Sequence, residues 1–280
     1  MKYVLFNNLA GNGDGESLAK VLFPSAEHID MTKITDYAEL FDSMERGDSV
    51  IIMGGDGTLN KFVNATYDID IRPDVYLYPT GTGNDFVRDI EMQDSDEPIL
   101  INQYIKNLPT VSLNGETYRF VNGVGYGIDG YCCEIGDIEK AKGKKPNYTA
   151  IAITGLLFNY KPCDATVTVD GVEYEFKKAW LAPTMYGRFY GGGMNAVPDQ
   201  KRGSDELSVM LFHGGGRLST LIAFPGIFEG KHVKNKMVTV LKGKEIKVRF
   251  SEPRAVQIDG ETVLGVTEYE AKACKTAVLQ

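Results

Sequence analysis

The sequence predicts two structural classes along one chain. An N-terminal α/β domain, with an open, mostly parallel sheet and flanking helices, is predicted over residues 1–108 because short apolar strands alternate there with glycine-rich loops and helical segments. A β-rich, antiparallel, sandwich-like domain is predicted over residues 109–280, where alternating apolar and polar segments predominate. The last few residues are expected to pack back on the first domain, and a cleft between the domains is the expected active site.

The predicted elements follow from hydrophobic periodicity and from turn signals. In the first domain, strands are predicted at 3–6, 28–31, 50–53 and 75–78, and helices at 17–23, 35–46, 59–65 and 86–90. Thr35 is the predicted N-cap of the second helix. In the second domain, Asp170-Gly171 predicts a hairpin and Lys242-Gly243 predicts a second, weaker one.

Composition and charge exclude some classes of function. The formal net charge of −8 argues against a nucleic-acid partner. No apolar stretch is long enough to cross a bilayer and no signal peptide is evident, so a cytoplasmic protein with peripheral membrane contact is expected. The four cysteines match no zinc pattern and are expected to be free thiols. A lysine cluster at 140–145 is either a contact for an acidic membrane or a solvated loop.

The most informative segment is a glycine turn after an apolar strand. Residues 54–58 read Gly-Gly-Asp-Gly-Thr, Asn60 follows, and helical spacing resumes at Leu59. Glycines let backbone N–H groups approach one anion, and a helix N-terminus adds its dipole, so the segment predicts a phosphate cradle. Asp56 in its centre suggests either a Mg²⁺ between acid and phosphate or an acid that orients other loop groups. Packing alone is the weaker alternative.

Three further segments carry candidate chemistry. Residues 79–86, Pro-Thr-Gly-Thr-Gly-Asn-Asp-Phe, form a second small-residue loop in which Thr82 and Asn84 could bind phosphate or sugar, although Asn84 or Asp85 could equally cap the next helix. Residues 122–129 form a tight glycine segment that ends in an aspartate. Residues 259–261, Asp-Gly-Glu, end a late strand, and taken alone they predict a hairpin turn rather than a site.

Taken in order, these segments and residues 191–199, Gly-Gly-Gly-Met-x-x-x-Pro-Asp, resemble the diacylglycerol kinase catalytic-domain family over nearly the whole chain. The resemblance implies an ATP- and Mg²⁺-dependent lipid kinase and a possible homodimer. It implies that Asp259 or Glu261 deprotonates a lipid hydroxyl. It also implies that Asp56 binds the metal ion, directly or through water. The implied nucleotide contacts are Asn7, Asn8, Gly11, Thr32, Gly54, Gly55, Asp56, Gly57, Thr58, Asn60, Thr82, Asn84 and Asp85.

The chain departs from the family pattern at several positions. Asn8 replaces a proline in the first loop, and Lys61 stands where a glutamate is usual. Ser112 replaces an aspartate near the domain junction. In relatives a structural Mg²⁺ lies in the loop after Pro198-Asp199, and here Asp205 is the predicted ligand unless Ser204 takes that register. These changes keep open the alternative of a weakly active member that binds nucleotide or lipid. A kinase of a soluble substrate such as NAD is a second alternative, because NAD kinases share the Gly-Gly-Asp-Gly-Thr loop.

Overall fold

The computed structural model describes residues 1–9 and 13–274. The chain divides into two compact units, Met1–Leu108 and Pro109–Gln280. The predicted nucleotide contact at Gly11 lies outside the described residues, as do residues 275–280, which were expected to pack back on the first domain.

The first unit is built on a five-stranded sheet in the order β2-β1-β3-β4-β5. Its strands are β1 (Lys2–Phe6), β2 (Glu27–Asp30), β3 (Ser49–Gly54), β4 (Asp74–Pro79) and β5 (Ile99–Leu100). Its helices are α1 (Gly15–Leu22), α2 (Tyr37–Asp42), α3 (Asp56–Ala65), α4 (Asp85–Asp89) and α5 (Asn102–Ile105), with a 3₁₀ turn at Met31–Lys33. Strands β1 to β4 pair in parallel and β5 is antiparallel, so the predicted α/β class is confirmed.

The central strand β3 shows why this sheet forms. Its β-branched residues Val50, Ile51 and Ile52 are buried on both faces, which is typical of a strand covered by helices. Aromatic rings on the neighbouring helices complete this core, with Tyr37 and Phe62 in edge-to-face contact at 5.9 Å between ring centroids.

The four predicted helix starts differ from the observed ones by one to three residues, and α2 and α3 are the informative cases. The N-cap of α2 is Asp36 and not Thr35, because the Asp36 carboxylate accepts hydrogen bonds from the Ala38 and Glu39 N–H groups. Helix α3 begins at Asp56, three residues earlier than predicted, with Gly55 as N-cap. The Gly-Asp-Gly-Thr segment is therefore the first turn of a helix rather than a loop that precedes one.

The second unit contains a large antiparallel sheet in the order β15-β14-β11-β8-β16-β17-β6-β7, with β9 and β10 joined through β16. Its strands are β6 (Thr110–Leu113), β7 (Glu116–Arg119), β8 (Gly123–Tyr126), β9 (Cys163–Val169), β10 (Val172–Ala179), β11 (Thr184–Met185), β12 (Phe189–Tyr190), β13 (Met194–Asn195), β14 (Leu207–Phe212), β15 (Val238–Gly243), β16 (Glu245–Ile258) and β17 (Glu261–Lys272). Its helices are α6 (Ile128–Ala141), α7 (Tyr148–Thr154) and α8 (Arg217–Ala223), a π-helical turn at Gly155–Asn159, and 3₁₀ turns at Phe224–Ile227 and Lys231–Lys234.

One predicted hairpin in this unit is confirmed and one is wrong. Val169 pairs with Val172, and Asp170 and Gly171 both have positive φ, as a two-residue turn of this kind requires. Gly243 instead ends β15, which pairs with β14, and the next strand pairs elsewhere. The Asp170 carboxylate accepts hydrogen bonds from the Lys244 and Glu245 N–H groups, so the start of β16 is held at the Asp170-Gly171 turn.

Helices α6 and α8 and the π-helical turn contribute to a core that contains Trp180, which is 1% exposed. The Trp180 indole N–H donates to the Gly215 carbonyl at 3.0 Å, and the Arg217 guanidinium lies 5.9 Å from the indole ring. All four cysteines are free thiols, as predicted. Within the described residues, no helix is long and apolar enough to cross a membrane.

Candidate active site

The loops that follow β1, β2, β3 and β4 lie at one edge of the first sheet, because the carboxyl ends of parallel strands meet there. After β1, the buried Asn7 side chain accepts a hydrogen bond from the Leu9 N–H at 2.9 Å. The Asn8 amide reaches Asp30 at the end of β2 at 3.4 Å, and Asp30 accepts from the Thr32 N–H at 3.0 Å. The sequence-predicted residues Asn8 and Thr32 are thus brought together through Asp30, which sequence reasoning missed, and Asn7 lies next to Asn8 in the loop after β1.

Burial raises the pKa of Asp30, but hydrogen bonds from the hydroxyl and N–H of Thr32 outweigh it and leave that pKa below its usual value. Lys33 lies 3.7 Å from the same carboxylate. Asp30 therefore stays ionised and ties the loops after β1 and β2 to each other. Its signal in the sequence was weak, since a lone aspartate at a strand end is common.

The Gly54-Gly55 turn, which leads from β3 into α3, and the loop after β4 touch backbone to backbone. A Cβ on Gly81 would lie 2.6 Å from the Gly55 Cα, and a Cβ on Gly54 would lie 2.4 Å from the Thr58 side chain. Neither distance is possible without movement of the main chain or of a buried side chain. The Thr80 N–H also donates to the Gly54 carbonyl at 3.0 Å. These glycines are required by close approach at this edge of the sheet.

Asp56 joins the two loops. Its Oδ2 accepts a hydrogen bond from the Asp85 N–H at 2.9 Å and its Oδ1 accepts one from the Phe86 N–H at 2.8 Å. The carboxylate therefore caps the N-terminus of α4 from a different segment of the chain. Of the two roles predicted for Asp56, the structure displays the orientation of other loop groups.

Asn84 holds the N-cap position of α4 without capping it. Its φ of 47° is left-handed, and its amide donates to the Gly81 carbonyl at 2.8 Å instead of accepting from the helix. The Asn84 Oδ1 atom is buried and has no hydrogen-bond partner within residues 1–9 and 13–274. Thr82 beside it is exposed, and Asn60 is buried in α3. A buried acceptor, glycines without room for a Cβ and the N-terminus of α3 together fit a nucleotide and its phosphates.

In the second unit, Asp-Gly-Glu forms a hairpin turn and a polar cluster at once. Asp259 and Gly260 have positive φ and connect the paired residues Ile258 and Glu261. The Asp259 side chain is 9% exposed and accepts hydrogen bonds from three successive N–H groups, at Val121, Asn122 (2.8 Å) and Gly123 (2.9 Å). Glu261 is exposed. The two candidate bases therefore have different surroundings.

A second buried acid lies in the same unit. Asp129, in the first turn of α6, accepts a hydrogen bond from the Tyr190 hydroxyl at 2.9 Å. Burial raises the pKa of Asp129 to about 7, although the bond from Tyr190 acts in the opposite direction. The sequence showed Asp129 only as the end of the 122–129 segment, and its burial was not evident there.

Asp205, the predicted metal ligand, lies beside a lysine in this structure. The Asp205 carboxylate is exposed and pairs with the Lys244 ammonium at 2.6 Å, and this contact lowers the pKa of Asp205. Within the described ranges, no group of three or more His, Cys, Asp or Glu side chains is placed to hold a metal ion. The Ser204 hydroxyl donates to the Glu206 carbonyl at 2.9 Å. Ser112 bonds Thr117 across two strands and Lys61 is exposed on α3.

The parallel α/β unit with glycine turns at its carboxyl edge and the antiparallel unit with the Asp-Gly-Glu hairpin each match a known family model. The model described as "Diacylglycerol kinase catalytic domain" matches residues 2–111. The model described as "YegS C-terminal NAD kinase beta sandwich-like domain" matches residues 122–277. The second model spans more than half of the chain, so the chain belongs to the family in which a diacylglycerol kinase catalytic domain is joined to a YegS-type C-terminal domain.

Relatives and solved structures agree with this family. The chain is 25% identical over 241 residues to the Bacillus subtilis protein named "Putative lipid kinase YtlR", covering 79% of this chain and 75% of the relative. It is 24% identical over 221 residues to a Bacillus subtilis diacylglycerol kinase, covering 76% and 71% of the two chains. A crystal structure of a Bacillus anthracis diacylglycerol kinase superposes with a TM-score of 0.66 at 22% identity, over 98% of this chain and 94% of that one. This last likeness concerns the fold.

Proposed function

We propose that this protein is an ATP-dependent lipid kinase that transfers the γ-phosphoryl group of ATP to the hydroxyl of diacylglycerol or a related lipid. The observation that carries the proposal is the pair of glycine loops joined through Asp56, in a chain that matches the family models in both units. Phosphoryl transfer depends mainly on positioning and on offsetting phosphate charge, and such loops supply the first of these.

In this proposal the nucleotide lies on the loops of the first unit. The N-terminus of α3 faces the phosphates, and the unpartnered Asn84 Oδ1 accepts from a donor on the ligand. Asp56 keeps both loops in register. Mg²⁺ bound with the nucleotide would offset phosphate charge, and it is usually held by substrate phosphates with only one or two carboxylates.

Asp259 and Glu261 remain the candidate acids for the lipid hydroxyl. Asp259 is held by three main-chain donors, so its position is fixed and several of its lone pairs are engaged. Glu261 lies two residues further on and is exposed. We propose that Asp259 sets the geometry of this turn, and separate substitutions of the two acids decide which one accepts the proton.

An apolar and basic surface of the second unit supports contact with an anionic membrane. Phe158, Leu218 and Ile222 are 72%, 66% and 72% exposed. Their segments are neighbours, because Arg217 donates to the Leu156 carbonyl at 2.9 Å. Residues 140–163 contain five lysines and no acidic residue, and residues 213–236 contain one arginine, three lysines, two histidines and one glutamate, in a chain of net charge −8. Two of these lysines, Lys140 and Lys231, pair with Asp137 and Glu229. Apolar side chains beside lysines favour an anionic lipid surface.

The transfer reaction is tested with pure protein, labelled ATP, Mg²⁺ and lipids in mixed micelles. We expect phosphate on diacylglycerol or a related lipid, and loss of transfer in Glu261→Gln if Glu261 is the base. NAD in the same assay tests the soluble-substrate alternative, which the description of the second matched model keeps open. Nucleotide binding without transfer to any acceptor would favour the weakly active alternative and overturn the kinase proposal.

The membrane contact is tested by co-sedimentation with vesicles. The wild type is expected to bind phosphatidylglycerol vesicles more than phosphatidylcholine vesicles, and Ile222→Asp is expected to lower that binding. Val172→Asp is the matched control, because Val172 is also exposed but lies at the Asp170-Gly171 hairpin. Equal binding by the two variants would remove this surface from the proposal.

A further inference from the structure

The loop at residues 197–208 is closed from inside by a glutamine. Gln200 is 4% exposed, and its amide Nε2 donates to the Glu206 carbonyl at 3.0 Å. Its Oε1 accepts from the Ser208 hydroxyl, and its N–H donates to the Val197 carbonyl at 3.0 Å. A buried side-chain amide whose N–H donor and oxygen acceptor both have hydrogen-bond partners stabilises the conformation of a loop.

Two lysine ammonium groups contact oxygen atoms on the outer surface of this loop. Lys244 pairs with Asp205 at 2.6 Å, and the Lys242 ammonium donates to the Asp199 carbonyl at 3.1 Å. Both lysines are exposed, so neither contact alone adds much stability. They nevertheless place positive charge where a divalent cation would need several free oxygen ligands, and like charges repel.

The loop carries Arg202 to the segment that Asp259 holds. The Arg202 guanidinium donates to the Val121 carbonyl at 2.6 Å and to the Asn122 side chain at 2.9 Å. It lies 5.3 Å from the Tyr186 ring, which restricts its orientation further. A planar guanidinium suits two such acceptors at once.

The main-chain N–H and carbonyl groups of residues 121–123 therefore form hydrogen bonds with Asp259 and with residues of other segments. Asp259 receives the three N–H groups, and its own N–H donates to the Gly123 carbonyl at 3.1 Å. The Asn122 carbonyl accepts from the Tyr186 N–H at 2.9 Å. Arg202 binds the remaining carbonyl group, that of Val121. A substitution of Arg202 therefore disturbs the same segment whose N–H groups orient Asp259.

We propose that Arg202 is a positioning residue for Asp259, and that the loop carrying it is closed by Gln200 and Lys244 without a divalent cation. The sequence resemblance placed a structural Mg²⁺ in this loop, and this chain replaces its function with a neutral amide and an ammonium. The part concerning catalysis rests on the proposed function, because only there does the orientation of Asp259 affect a reaction. The part concerning the closure of the loop without a cation is independent of the proposed function.

The cation is tested by thermal unfolding of the full chain without nucleotide, in EDTA and in MgCl₂. We expect the same Tm in both, whereas a saturated structural ion would raise Tm by several degrees. Gln200→Ala is expected to lower Tm equally in both buffers, and Gln103→Ala, at an exposed position, is the control. A wild-type Tm that rises with MgCl₂ but not in Gln200→Ala would overturn the cation-free closure.

The positioning role is tested by hydrogen exchange of a peptide that spans residues 121–123. Arg202→Gln is expected to exchange about tenfold faster there, with Arg202→Lys between it and the wild type, because local opening becomes easier. Arg249→Gln, at an exposed arginine, is the control. In the lipid assay, Arg202→Gln is expected to lower kcat about tenfold with an unchanged KM for ATP. Unchanged exchange would overturn the proposal even if the wild type phosphorylates lipid, and faster exchange supports it even if no lipid is phosphorylated.

Discussion

At the scale of single residues, the main finding is that acids at the candidate site bind backbone. Asp56 and Asp259 both accept hydrogen bonds from successive N–H groups of distant segments. The sequence showed acids in glycine-rich settings and predicted that they matter. It could not show their partners, because Asp85 and Val121 lie about 30 and 140 positions away along the chain.

Asp56→Ala is expected to destabilise the first unit and to weaken nucleotide binding. The substitution leaves the Asp85 and Phe86 N–H groups without their acceptor, a loss comparable to that of a helix cap, about 1 kcal/mol. Asp56→Asn retains one acceptor oxygen and is expected to lie between Ala and the wild type. Thermal unfolding and ATP titration measure both effects, and a wild-type Tm for Asp56→Ala would contradict the capping role.

Asp129 makes stability depend on pH. Its pKa is raised to about 7 in the folded protein by burial, against an ordinary value of 3.8. The folded state therefore binds an extra proton between these values, and the contribution of Asp129 is complete below pH 4 and is lost as the pH rises to 7. Asp129→Asn cannot ionise, so we expect its Tm relative to the wild type to increase between pH 5 and pH 8. The control is Asp94→Asn at an exposed position, and parallel pH profiles for wild type and Asp129→Asn would contradict the assignment.

At the scale of elements, most strands of the first sheet were predictable and the helix starts were not. Strands such as β3 can be recognised in the sequence from consecutive β-branched residues. The start of α3 at Asp56 was missed because glycines conceal helical periodicity, and the cap of α4 was missed because its acceptor comes from another segment. The long-range pairing of β15 with β14 overrode the local hairpin signal at Lys242-Gly243.

Gly81→Ala is expected to disturb the junction of the two glycine loops. A Cβ there would lie 2.6 Å from the Gly55 Cα, and such overpacking costs about 1–3 kcal/mol. Gly216→Ala is the control, because a Cβ at Gly216 would meet its nearest atom at 4.0 Å. A lower Tm and weaker ATP binding are expected in Gly81→Ala alone. Equal behaviour of the two variants would mean that the loops separate easily.

Tyr160→Phe tests a position where the removal of a buried polar group is expected to leave the protein at least as stable. The Tyr160 hydroxyl is buried and has no hydrogen-bond partner in the described part of the chain. An unsatisfied buried hydroxyl costs about 1–3 kcal/mol, so its removal is expected to leave Tm unchanged or to raise it. A clear fall in Tm would show that the hydroxyl has a partner in solution, such as a bound water or ligand.

At the scale of the whole molecule, the class of both units could be read from the sequence, whereas the ion-pair chemistry of the second could not. Asp205, the predicted metal ligand, pairs with Lys244 through a contact between residues 39 positions apart. The strands of the first sheet all lie within residues 1–108, and the described strands of the second sheet lie beyond them. Residues 1–108 expressed alone are therefore expected to unfold cooperatively and to bind ATP, which calorimetry and titration measure. Failure to fold would show that this unit depends on the rest of the chain.

The buried Trp180 has a practical consequence, since it is the one tryptophan in the sequence. Its indole is enclosed by Tyr160, Arg217 and the Gly215 carbonyl, all in the second unit. Emission excited at the red edge of the protein absorption band is therefore a natural optical probe of that unit alone. A nucleotide that binds the first unit will change this signal only if the surroundings of the indole respond, so a fluorescence titration against ATP would detect communication between the two halves without any added label.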